Sequence, residues 1–193
     1  TGQRNDQSRL QHLNQRFELA ARAAALGVWE WDAETQRSIW DERTLQIYGL
    51  RADEFSGTLE DWKRCLHPQD RVAAIAQIQA VMASGIHLEH EFRILRANDG
   101  AERHIQSRAI VQRDAEGRPL RITGTERDIT ADRESTQKME ALNERLRLAL
   151  RSSNYGVWEY DIITGRRNWD ERVIEIYGLR SEAVEGGNQV WAE

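Results

Sequence analysis

Gly27-Val28-Trp29-Glu30-Trp31-Asp32 returns as Gly156-Val157-Trp158-Glu159-Tyr160-Asp161, 129 positions later. The flanks return with it. Trp40-Asp41-Glu42-Arg43 recurs as Trp169-Asp170-Glu171-Arg172, Ile47-Tyr48-Gly49-Leu50-Arg51 as Ile176-Tyr177-Gly178-Leu179-Arg180, and Trp62 meets Trp191 at the same offset. Without insertion or deletion, 24 of the 55 positions from Leu10 to Arg64 match their partners. The duplicated object is therefore larger than a motif. Stacked repeat units run only to about 50 residues, so a period this long reads as a whole domain. The first copy has room for one domain of ordinary size. The second copy stops at Glu193, well short of that, and the chain starts at Thr1. We expect a piece of a longer polypeptide with an effector domain downstream.

Around the repeated stretch, the pattern predicts a mixed fold. Leu10, Leu13, Phe17, Ala20 and Ala24 step by three and four, giving one apolar helical stripe that Gly27 is expected to end. Val28–Asp32 and Arg37–Trp40 read as strands around a turn at Glu34-Thr35-Gln36. Short helices follow. Asp41–Tyr48 is stopped by Gly49, and Thr58–Cys65 carries Asp61 three residues after its Thr cap. His67-Pro68-Gln69-Asp70 reads as a helix start with Pro at the first helical position. Val72, Ile75, Ile78, Gln79 and Met82 then form the next helical face.

From His87 the period changes to two, with Leu88, His90, Phe92 and Ile94 on one face. Asp99-Gly100 predicts a tight hairpin turn with positive φ at both central positions. Ile105, Ser107, Ala109 and Val111 alternate on the next strand, and Leu120, Ile122 and Gly124 begin another. The order implies an α+β fold, one antiparallel sheet of five strands with helices segregated to one face. Thr130 can cap a further helix with Asp132 and Glu134 in its first turn. On that helix Met139, Leu142, Leu146 and Ala149 align with Leu10, Leu13, Phe17 and Ala20. One helix thus leaves the first domain and enters the second. The expected organisation is an N-terminal amphipathic helix (1–26), a complete domain (27–130), a linker helix (131–155) and the start of a second domain (156–193).

The net charge of -5 argues against nucleic-acid binding, which needs clustered basic surface. Cys65 stands alone, so neither a disulfide nor a cysteine-based metal site forms within the chain. No apolar run reaches the length of a membrane span. A cytoplasmic setting fits, and a membrane anchor elsewhere in the polypeptide is compatible with it. No nucleophile–base pair, acid pair or phosphate loop stands out, so nothing marks these residues as an enzyme.

Taken in order, Gly27–Asp32, Trp40–Leu50, His67-Pro68-Gln69-Asp70, Glu91-Phe92-Arg93, Asn98-Asp99-Gly100, Glu116-Gly117-Arg118-Pro119 and Asp128-Ile129-Thr130 resemble tandem PAS domains of bacterial sensor kinases and diguanylate cyclases. The resemblance spans residues 15 to 193, the second domain in part. It implies a sensory module in a parent that is a histidine kinase or a diguanylate cyclase/phosphodiesterase. It also implies that Asp128, Ile129 and Thr130 are the junction through which the sheet signals to the helix.

The chain departs from the family in places. His104 stands where Trp is often found. The light-sensing flavin subclass needs an Asn-Cys-Arg motif, whereas Cys65 lies in Lys63-Arg64-Cys65-Leu66. Haem-binding relatives use a helical His, and Pro68–Ser84 contains none. Photoactive flavin and haem are therefore disfavoured, and the cofactor is left open.

His67 reads as a cap residue. Trp29, Trp40 and Trp62 recur between copies, as core packing requires. Positions that change between copies are the candidates for ligand contact. Leu26, Ile39 and Leu45 become Tyr155, Asn168 and Ile174, and with His90 and Phe92 they form the expected pocket. Glu126-Arg127-Asp128 reads as a charged, solvated run, with Asp128 singled out for relay. Leu10, Leu13, Phe17, Met139, Leu142 and Leu146 are expected to pair the flanking helices in a homodimer. Two functions follow: a sensor that passes the state of a small ligand through the helix, or a ligand-free interaction scaffold.

Overall fold

The computed structural model describes residues 2–179. Within them the side chains of residues 2–8, 10, 11, 84 and 151 are outside the description, so Leu10 as a contact residue and Trp191 as a repeat position lie outside the described residues. Two compact units are present, Thr1–Asp132 and Arg133–Glu193.

In the first unit, α1 (Gly2–Ala23) precedes β1 (Gly27–Asp32) and β2 (Arg37–Trp40). Three helices follow, α2 (Glu42–Tyr48), α3 (Leu59–Cys65) and α4 (Arg71–Ser84). The long strands β3 (His87–Leu95), β4 (Glu102–Arg113) and β5 (Pro119–Asp128) complete the unit, and β5 runs into α5 (Thr130–Ser153). The five strands form one sheet in the order β2-β1-β5-β4-β3, antiparallel throughout.

Side chains alternate between the faces of a strand, and here the alternation decides what is inside. Trp29 and Trp31 of β1, Leu88 to Ile94 of β3, Ile105 to Val111 of β4 and Ile122 of β5 point to the helix-covered face. There they build two apolar clusters. One gathers Ile47, Tyr48, Trp62, Cys65, Leu66, Phe92, Ile94 and Ile105. The other gathers Trp31, Leu88, Ala109, Val111 and Ile122, with Trp29 and Met82 against it. In this unit Trp62 is buried and Trp29 and Trp40 pack against the clusters, as their recurrence implied.

Four local expectations give way to other physics. Gly27 does not end α1, because Ala25 takes the positive φ of 53° there. Gly27 opens β1 instead, where a Cβ would come within 2.5 Å of Thr44 Oγ1, and its lack of a side chain lets α2 close onto the sheet. α4 starts at Arg71, not Pro68. The preceding residues form a turn in which Asp70 takes the N-cap position but its side chain grips Arg93, at 2.6 Å to Nη2 and 2.9 Å to the backbone nitrogen. Val72 points to solvent while Ala74 is buried and Ile75 and Ile78 pack inward. The Asp99-Gly100 turn has positive φ only at Gly100. It closes a longer loop through Arg96 N–H donating to Ala101 O, at 3.0 Å.

The second unit repeats the opening of the first. β6 (Trp158–Tyr160) and β7 (Arg167–Trp169) pair with Trp158 opposite Trp169, as Trp29 lies opposite Trp40. Asp41 accepts from Thr44 N–H at the start of α2, and Asp170 accepts from Val173 N–H at the start of α6 (Glu171–Ile176). The aromatic pair recurs too, Trp40–Tyr48 at 4.5 Å and Trp169–Tyr177 at 5.3 Å.

Candidate ligand site and helix junction

Between the two apolar clusters, a row of polar side chains crosses the buried face of the sheet. His90 on β3 lies opposite Ser107 on β4, and Ser107 lies opposite Glu126 on β5. The next position, on β1, is Gly27. The row is buried, with His90 6%, Ser107 1% and Glu126 4% exposed. Tyr48, fully buried on α2, reaches down beside Glu126. Trp29 packs against Gly124, where a Cβ would meet its ring at 2.6 Å, so glycine there is what lets the indole approach β5.

Burial of polar groups is tolerated when they are paired, and here the pairing is incomplete. His90 Nδ1 lies 2.7 Å from Gln77 Oε1. Since that oxygen only accepts, Nδ1 carries the proton and Nε2 keeps its lone pair. Glu126 Oε2, Tyr48 Oη and Trp29 Nε1 are buried with no hydrogen-bond partner. Desolvation pushes the Glu126 carboxyl up from 4.5 to about 8, against the lowering effect of Tyr48 and Ser107. At neutral pH Glu126 is thus mostly protonated. Burial also pulls His90 down from 6.5 to about 4, leaving it neutral. The Cys65 thiol, pushed by burial to about 11, is inert.

β5 continues from Glu126 into the predicted junction. Asp128 Oδ1 accepts both the backbone N–H and the hydroxyl of Thr130, at 3.0 and 2.6 Å. Thr130 Oγ1 accepts from the backbone N–H of His104 at 2.9 Å, and Ile129 N–H donates to His104 O. The start of α5 is thereby tied to β4 as well as β5. Ile129 is buried.

The structure does not bring the five expected pocket residues together. His90 and Phe92 share the interior, their rings 4.8 Å apart. Leu26 and Ile39 line a separate groove of about 880 Å³ shared with Phe17 and Ala21 of α1. Ile39 is 68% exposed. The reason is alternation, since Trp40 points into the core and its neighbour must point out. Leu45 is half-buried on α2. The charged run was also misread, because Glu126 belongs to the interior. The spacing Ile122–Gly124–Glu126 carried that signal. Leu13, Phe17, Met139, Leu142 and Leu146 are all exposed. His67 holds a turn, its Nδ1 accepting from Gln69 N–H at 3.3 Å. Among the described residues no cluster of His, Cys, Asp or Glu is arranged to hold a metal ion, and no helix is long and apolar enough to cross a membrane.

Residues 37–126 match the family model described as the PAS fold. The five-stranded sheet and its covering helices have that fold, and the segment is a PAS domain homologous to sensor domains of diguanylate cyclases and histidine kinases. The probable diguanylate cyclase DgcE of Escherichia coli K12 is 30% identical over 142 residues, 74% of this chain. The chain spans 13% of that relative's length. A sensory box histidine kinase/response regulator from Burkholderia thailandensis superposes with a TM-score of 0.57 at 26% identity, over 68% of this chain and 98% of that one. The N-terminal domain of a diguanylate cyclase with PAS/PAC sensor from Marinobacter aquaeolei shares the fold, with a TM-score of 0.51 at 21% identity over 56% of this chain and 98% of that one.

Proposed function

We propose that this chain is a sensory and signal-relay module of a multidomain, cytoplasmic signalling protein, and that residues 156–193 begin a second PAS domain. A small ligand held over His90, Ser107 and Glu126 changes the packing of α2 against the sheet. Asp128, Ile129 and Thr130 pass the change to α5, which pairs with its twin in a homodimer and leads toward a kinase or cyclase output domain. The observation that carries this reading is the buried Glu126 carboxyl, whose Oε2 has no hydrogen-bond partner, on the strand that ends at Asp128. A polar group left unpaired in an interior costs about 1–3 kcal/mol, and a sensor recovers that energy when its ligand arrives. Ligand and helix then bias one two-state element. For the second domain, Trp158 and Tyr177 are exposed where their counterparts Trp29 and Tyr48 pack in the first core. Hydrophobic surface of that kind belongs under further strands.

A scaffold without ligand is the competing reading, favoured by the exposed apolar stripe of Met139, Leu142 and Leu146. Native mass spectrometry of the purified protein, with its absorption spectrum, separates the two. A co-purifying small molecule that is lost in Glu126→Leu supports sensing. A bare mass whose hydrogen exchange at α5 is identical in wild type and Glu126→Leu supports scaffolding.

A further inference from the structure

We propose that the interior row takes a small amine or amidine, whose N–H groups bridge Glu126 and His90. The inference rests on reading the interior as the sensing site and names the chemistry that site accepts.

The row presents an acceptor at one end and, at the other, a carboxyl that becomes a full acceptor once it gives up its proton. His90 Nε2 offers a lone pair, because Nδ1 is committed to Gln77 Oε1. Glu126 Oε2 is buried and unpartnered at the other end. Between and above them, Ser107 and Tyr48 carry hydroxyls that can donate or accept. Two inter-strand steps separate His90 from Glu126, roughly 10 Å between backbones, so a ligand that bridges them would have few heavy atoms. An anion would face the carboxyl of Glu126 and, behind it, Asp41, whose charge acts on Glu126. A neutral hydrocarbon would leave Oε2 unpaired. A cationic nitrogen donor satisfies both ends with charge-assisted hydrogen bonds.

The titratable groups facing Glu126 from the packed elements are Tyr48 and Asp41 beside α2, Cys65 on α3 and His90 on β3. Tyr48 and Cys65 are pushed upward and stay neutral, and so does His90. Glu126 is therefore the group that changes charge. It holds a proton before the cation binds and gives it up when the cation arrives, so that each protonated amine bound expels close to one proton.

The test is titration calorimetry of the purified chain at pH 7 with acetamidinium and ethylammonium chlorides, in two buffers of different ionisation enthalpy. Sodium acetate and acetamide serve as controls. The expected result is saturable binding of a cation with about one proton released. In Glu126→Gln, which keeps shape and fold, release vanishes and affinity falls at least tenfold. His90→Phe weakens binding without abolishing release. Binding that is equal in Glu126→Gln, or no cation binding at all, overturns the amine assignment. In that case, acetamide or acetate binding that His90→Phe abolishes leaves the interior as a sensing site for another ligand class. No binding by any probe, with exchange at α5 unchanged in Glu126→Gln, removes the sensing reading as well.

Discussion

The hydroxyl of Thr130 donates to Asp128 Oδ1 at 2.6 Å, and Thr130 Oγ1 in turn accepts the backbone N–H of His104 at 2.9 Å. One side chain thus connects the last strand, its neighbour and the first turn of the exit helix. A shift of β5 against β4 cannot occur without loading this contact. Thr130→Val removes the acceptor and leaves the His104 N–H without its partner. We predict a loss of about 1–2 kcal/mol in chemical denaturation. Faster hydrogen exchange should appear in the first turn of α5, while the far half of the helix is unchanged.

Glu126 makes stability fall as pH rises. Its carboxyl titrates near 8 in the folded chain against an ordinary 4.5. Below 4.5 both states hold the proton. Between 4.5 and about 8 only the folded state does, so the unfolded state is increasingly favoured, and above about 8 the effect is complete. Urea unfolding should show wild type losing stability across that interval relative to Glu126→Gln, by about 3–5 kcal/mol at the top of the range. Parallel profiles for the two proteins would contradict the burial argument.

Asp70 works in the opposite direction. Its bond to the Arg93 side chain holds it at about 2, below the usual 3.8. The stabilisation is therefore present above 3.8 and is lost as pH falls toward 2. Asp70→Asn should lower stability at pH 7 by about 1–2 kcal/mol, allowing for partial solvent screening. It should also flatten the acid limb of the stability curve between those two values.

Leu142→Asp combined with Leu146→Asp places two charges on the exposed stripe of α5. If that stripe pairs copies of the chain, sedimentation should change from dimer to monomer, with the melting temperature of the PAS domain nearly unchanged, since both residues are exposed. A dimer that persists would move the interface to α1 or to the sheet. The stripe is only about two heptads long, short of the three or four that sustain a coiled coil alone, so the double substitution should suffice.

Much of the fold was legible because its signals are local. Alternation from His87 onward named the buried faces of β3 and β4, and Gly49 marked the end of α2. The 129-residue echo placed the same strand pair and helix in both units. The misreadings have local causes as well. Glu126 was grouped with Arg127 and Asp128 by charge when the period of two put it with Ile122 and Gly124. Ile39 was chosen because it differs between copies, but variation marked an outward position next to Trp40. Pro68 and Asp70 carry the signature of a helix start, yet Asp70 is engaged by Arg93 on a distant strand. The approach of Tyr48 to Glu126 could not be read from either segment, because it exists only once α2 closes over Gly27.

If α5 pairs with its twin as proposed, the charge state of the interior should reach the helix pair. Spin labels at Glu140→Cys, in a Cys65→Ala background, report the distance between the two α5 helices by pulsed electron resonance. The distance distribution should shift between pH 6.5 and pH 9 as Glu126 ionises, and Glu126→Gln should hold the low-pH distribution at both values. An identical distribution at both pH values in the native protein, or the same shift in Glu126→Gln, would contradict it.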